Sequence, residues 1–129
     1  MKLVGSKTES EYREQLIRSH NSLFRDSNKQ RLLLALRQFY PKMKAGYTLH
    51  WIPEQGEDIY HILIASNLLV EVEVDRFNKE SEPIIKEISL DQYKQRLSKT
   101  EQIKLAVAIE LLKEKGAGRT PSPAINLAG

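Results

Sequence analysis

The spacing of apolar residues changes twice along this 129-residue chain, and those two changes limit the fold more tightly than any motif in it. From Tyr12 to Tyr40 apolar side chains recur every three or four positions, from Tyr47 to Leu90 every second position, and from Ile103 to Leu112 the longer spacing returns. A helix turns once in 3.6 residues and a strand alternates sides with period two, so the order is helices, strands, helices. Strands gathered in one block favour an antiparallel sheet in an α+β domain. The expected architecture is two N-terminal helices, a four-stranded, mostly antiparallel sheet, and one or two C-terminal helices packed on its apolar face.

Local signals mark the helices. Thr8-Glu9-Ser10-Glu11 has capping-box spacing, in which a hydroxyl takes a free backbone N–H and the later carboxylate reaches back, and it predicts the start of helix one. Ser27-Asn28-Lys29-Gln30 repeats the arrangement and Pro41 stops the helix that follows. Leu32, Leu33, Leu34, Leu36, Phe39 and Tyr40 cover more than one stripe, so this helix is expected to pack on two sides. Asp91 is expected to cap a short helix carrying Tyr93 and Leu97. Ser98-Lys99-Thr100-Glu101 opens the last helix, where Ile103, Ala106, Val107, Ile109, Leu111 and Leu112 form a wide apolar surface. Gly116-Ala117-Gly118 ends it. One domain over residues 1–115 and a mobile tail over 116–129 are expected, the tail carrying Ile125, Leu127 and two Ser/Thr-Pro pairs.

Three strands are read at Tyr47–Ile52, Asp58–Ile64 and Leu69–Val74, with a fourth from Ile84 to Leu90 after Pro83. With Gln55-Gly56 at the first hairpin tip, Trp51 lies opposite Tyr60, Leu49 opposite Ile62 and His50 opposite His61. A three-residue second loop then groups Val70, Val72 and Val74 with Tyr60, Ile62 and Ile64, leaving His50, His61, Glu71 and Glu73 on the reverse. A two-residue loop would instead bury the valines with Ile59 and His61.

Charge is sorted along the chain. Residues 1–45 carry 10 Lys/Arg against 4 Asp/Glu, residues 46–91 carry 3 against 10, and residues 92–129 carry 7 against 3. Opposed potentials of this kind steer encounters with charged partners. Zero cysteines exclude thiolate catalysis and cysteine-ligated metal sites, and no apolar run approaches the roughly 20 residues that span a bilayer. A cytoplasmic setting, no membrane contact and no cofactor are the expectations.

Three functional readings follow. The first is a small non-catalytic protein-binding module, an inhibitor, immunity or antitoxin-like factor or adaptor, whose acidic sheet residues Glu54, Glu57, Asp58, Glu71 and Glu73 meet a basic protein partner. A homodimer would balance the charge in another way. The second is nucleic-acid binding through Arg13, Arg18, Arg25, Lys29, Arg31 and Arg37 on the N-terminal helices, which could neutralise phosphates. These cations are spread around both helices and no aromatic residues are interleaved for stacking. The third is a metal-dependent hydrolase or nuclease at His50, His61, Glu71 and Glu73, whose imidazoles and carboxylates are ligand types for a divalent ion. Asp58 followed by Glu71-Val72-Glu73 faintly resembles the metal-binding core of restriction-type nucleases. That family's lysine, two positions after the second carboxylate, is Glu73 or Asp75 here. No glycine-rich phosphate loop is present.

Overall fold

A computed structural model describes residues 7–116. Helix α1 (Lys7–Arg25) leads through a 3₁₀ turn (Ser27–Lys29) into α2 (Gln30–Phe39). Four strands follow, β1 (Tyr47–Glu54), β2 (Glu57–Ala65), β3 (Leu68–Asp75) and β4 (Ile84–Ile88), and then α3 (Leu90–Arg96) and α4 (Lys99–Glu114). The strands pair in sequence order and antiparallel throughout, so the expected α+β class and element order stand. Residues 117–129, most of the expected tail, lie outside the described residues.

The caps differ from expectation in three of four places. Ser98 and Glu101 form the predicted reciprocal box, with Glu101 N–H donating to Ser98 Oγ at 3.2 Å and Ser98 N–H to Glu101 Oε1 at 2.9 Å. Thr8, however, lies inside α1. Asp26, not Ser27, caps the 3₁₀ turn by accepting from Asn28 N–H at 2.9 Å. Ser89, not Asp91, caps α3, because its hydroxyl sits three residues before the Gln92 amide it accepts from. Leu90 accordingly belongs to α3 and not to the fourth strand.

Two bulges set the register of the sheet. Trp51 pairs with Tyr60 and His50 with His61 as expected, but a bulge between Thr48 and His50 takes Leu49 out of the ladder and puts Thr48 opposite Ile62. In the second hairpin Ala65 pairs with Leu68, leaving only Ser66-Asn67 as the turn, yet Val70 pairs with Ile62 and Val72 with Tyr60. A bulge between Leu63 and Ala65 reconciles the short turn with the register of a longer loop. Leu68 therefore needs no left-handed backbone, and Gly56, at φ +83°, supplies the one positive angle of the first hairpin.

Both faces of the sheet are covered, by opposite ends of the chain. Leu23, Leu32, Leu36, Tyr40 and Met43 from α1, α2 and the segment after it pack on Ile62, Ile64, Val70 and Val72. The C-terminal helices take the reverse face, not the Tyr60 face they were expected to cover: Tyr93, Leu105, Ala108, Leu111 and Leu112 pack with Tyr47, Leu49, Leu63 and Leu69. The physical reason lies in the unbroken apolar runs Ile62-Leu63-Ile64 and Leu68-Leu69-Val70, which give these strands an apolar side chain on each face. Helix α1 runs beside β1 and joins the two layers, with Leu16 in one core and Leu23 in the other. It also fastens the outer edge of β1: Thr48 N–H donates to Ser19 Oγ at 3.1 Å, while Lys104 Nζ of α4 donates to Leu49 C=O at 3.0 Å.

Candidate functional site

The histidine-bearing face reads as four cross-strand rows. Nearest the helices is the buried row Tyr47, Leu63, Leu69, Ile88, and next is the polar row His50, His61, Glu71, Lys86. Then comes Ile52, Ile59, Glu73, Ile84, and last, at the hairpin tip, Glu54, Glu57, Asp75.

The polar row is closed by the C-terminal helices. A carboxylate can only accept, so His61 Nε2–H donates to Glu71 Oε1 at 3.1 Å, and the Tyr93 hydroxyl donates to Nδ1 at 3.3 Å. His50 Nε2 lies 3.7 Å from Glu101 Oε2, and the rings of His50, His61 and Tyr93 meet edge-on with centroids 5.4–6.0 Å apart. Burial pushes the His50 imidazole below its ordinary value against the pull of Glu101, and burial pushes the Tyr93 hydroxyl up. Lys104 is likewise pushed down by burial as its ammonium caps the β1 edge. Both nitrogens of His61 are thus engaged. Among the described residues no three His, Asp or Glu side chains converge as a metal donor set. Glu73 turns to Lys86, 3.9 Å away, and not to the histidines, so His50, His61, Glu71 and Glu73 share a face without forming one centre. The cluster's arrangement suits a packed, hydrogen-bonded joint between sheet and helices.

The five acidic residues divide. Glu54, Glu57, Glu71 and Glu73 lie on the face of the rows, whereas Asp58 is on the opposite face, accepting from Trp51 Nε1–H at 3.0 Å and lying 3.5 Å from Arg76 Nε. Lys86 sits between Glu71 and Glu73 at 4.0 and 3.9 Å. Glu54 and Glu57 are exposed at the tip. Between these carboxylates the isoleucine row is open: Ile52 is 38% and Ile84 54% exposed, since α3 and α4 stop short of it.

Of the six cations expected for nucleic acid, five have intramolecular neighbours. Arg13 makes a two-pronged pair with Glu114 at 2.8 and 3.2 Å, and Arg18 lies 4.0 Å from Glu14. Arg31 donates to the carbonyls of Asp75 and Asn78 at 2.9 Å and to that of Ser81. Arg37 lies over the Phe24 ring, Lys29 reaches Ser22 Oγ at 3.4 Å, and Arg25 is exposed at the end of α1.

Several features escaped the sequence reading. Tyr93 closing on the histidines depends on where α3 docks, which no local spacing reveals. A groove of about 780 Å³ borders α3 and α4, lined by Ile103, Ala106 and Ile109 with Lys94 and Lys99; Ile103 and Ile109 are half-buried against the core, as their spacing suggests, while Ala106 is exposed. A smaller cavity of about 200 Å³ lies under Trp51 on the other face. The alternation Trp51-Ile52 and Ile84-Ile85 did carry a signal for the open row, because a strand with apolar residues on both sides needs two covers. Against protein-family models, curated proteins and solved structures, the chain finds no match.

Proposed function

We propose that this protein is a non-catalytic protein-binding module, and that its contact surface is the outer half of the histidine-bearing face. The observation that carries the proposal is the row Ile52, Ile59, Glu73, Ile84, in which Ile52 and Ile84 are exposed and Ile59 is half-buried, with Glu54 and Glu57 beside it at the hairpin tip. Apolar side chains on a rigid sheet lose little freedom on binding, and carboxylates around them favour a partner whose apolar contact is rimmed by Lys or Arg. Glu71, engaged with His61 and Lys86, supports the surface from within instead of meeting the partner. The same geometry weighs against nucleic acid, since Arg13, Arg31 and Arg37 are committed to intramolecular contacts.

The test is quantitative affinity capture from lysate with and without nuclease treatment, comparing the unaltered protein with Ile52→Asp/Ile84→Asp and with Phe39→Ser on α2 as a distant exposed control. A protein retained by the first and third and lost by the double variant is the expected result. Equal retention by all three, or capture that vanishes with nuclease, would refute the proposal.

A further inference from the structure

On the opposite face of the sheet a second site is built, and it does not depend on the partner surface. Ser19, Ser22 and Leu23 of α1, Lys29 of the 3₁₀ turn and Leu32 of α2 face Thr48, Trp51 and Tyr60 of β1 and β2 across a cavity of about 200 Å³. Three observations give it a chemical character. Lys29 is the one charged residue in the lining, and its ammonium reaches the Ser22 hydroxyl at 3.4 Å with no carboxylate in ion-pair range among the described residues. Asp26, capping the turn through Asn28 N–H, holds the chain there in place. Trp51 and Tyr60 are directly paired across the strands, and the indole is pinned at its edge by the Asp58 carboxylate, yet 59% of Trp51 remains exposed.

A half-buried ammonium with free protons beside a hydroxyl donor is set to receive an anion. A single positive charge matches a monoanion better than a phosphate dianion. Two aromatic rings with Leu23 and Leu32 below them suit a flat apolar body. The volume falls below the roughly 300–1,000 Å³ of drug-sized pockets, which limits that body to about one ring. The geometry points to a binding site for a small monocarboxylate carrying one flat ring, its carboxylate on Lys29 and Ser22 and its ring against Trp51 and Tyr60.

The chain contains one tryptophan, so its fluorescence reports this site alone. Benzoate is the probe and benzyl alcohol its uncharged counterpart, each titrated while Trp51 emission is followed. Saturable change with benzoate is expected, weakened about tenfold or more in Lys29→Met, as loss of a charge-assisted hydrogen bond requires. Absence of saturation, an equal response to benzyl alcohol, or undiminished affinity in a folded Lys29→Met would overturn the inference. Should Lys29→Met fail to fold, amide shift mapping of the unaltered protein decides: benzoate perturbations centred on Ser22, Lys29 and Trp51 support the site, and perturbations elsewhere or none overturn it.

Discussion

Replacing Arg31 by Met removes a cation that spacing alone offers as a phosphate contact but that the fold uses as a clamp. Its guanidinium donates to three carbonyls, those of Asp75, Asn78 and Ser81, which lie 44 to 50 residues away in sequence. Together they bracket the loop 76–83, which Asp75 also folds by accepting from the amides of Phe77 and Asn78 at 2.9 and 3.0 Å. Hydrogen bonds to a charged group contribute about 1.5–3 kcal/mol each where water is excluded. Here the loop is largely exposed, so its carbonyls rehydrate and the freed segment regains entropy; a net cost of about 2 kcal/mol is expected. Urea unfolding should show it as a lowered midpoint at unchanged slope, and a thermal scan as a loss of roughly 8 °C. Arg31→Lys should recover no more than about half, because a lone ammonium cannot span three carbonyls in a fork. Amides of residues 76–82 should exchange faster while those of α4 are unchanged. A loss under about 0.5 kcal/mol, the range of ordinary surface substitutions, would refute the clamp.

Acid should weaken the fold through two half-buried imidazoles. His20 is pushed below its ordinary value of 6.5 by burial, then by Lys115 and Arg25, and His50 by burial, with His61 and Lys104 adding to it and Glu101 opposing. A lowered folded value means the unfolded chain binds more protons just below pH 6.5, so stability is complete above that pH and falls as pH drops toward the folded values. Urea midpoints at pH 7.5 and 5.5 check this; the drop should shrink in His20→Gln/His50→Gln, and an unchanged drop would assign it elsewhere. Ser98→Ala should cost about 1 kcal/mol by removing one half of the α4 box, read by the same unfolding curve; no change would mean that the Glu101 carboxylate suffices.

The glycine at position 56 and the flanking alternation made the first hairpin legible, and with it the facing of His50 and His61. What escaped were the two bulges: in the second, an extra residue leaves no mark in apolar spacing because its neighbours are all apolar, as in Ile62-Leu63-Ile64-Ala65, and in the first, Thr48-Leu49-His50 keeps the alternation of an unbroken strand. The assignment of helices to faces failed for the same reason: Leu63 and Leu69 look redundant in sequence and prove to be the floor of a second core. The acidic residues were found by composition, but composition does not show that Lys86 and Arg76 already sit among them. Ile52 and Ile84 were read as strand residues only, since exposure depends on how far α3 and α4 reach over the sheet.

The outer borders of the sheet are unequal. At β1 a serine hydroxyl from α1 and a lysine ammonium from α4 occupy the backbone groups beside the bulge, so a further strand would have to displace two helices' side chains. Among the described residues β4 pairs with β3 alone, and Lys86, the sort of charge that guards a free border, leans back onto Glu71 and Glu73. An extended segment that lengthens this sheet therefore meets less obstruction beside β4 than beside the start of β1. Beside β4 it would lie next to Ile84 and bring the open isoleucine row and a backbone ladder into one continuous contact.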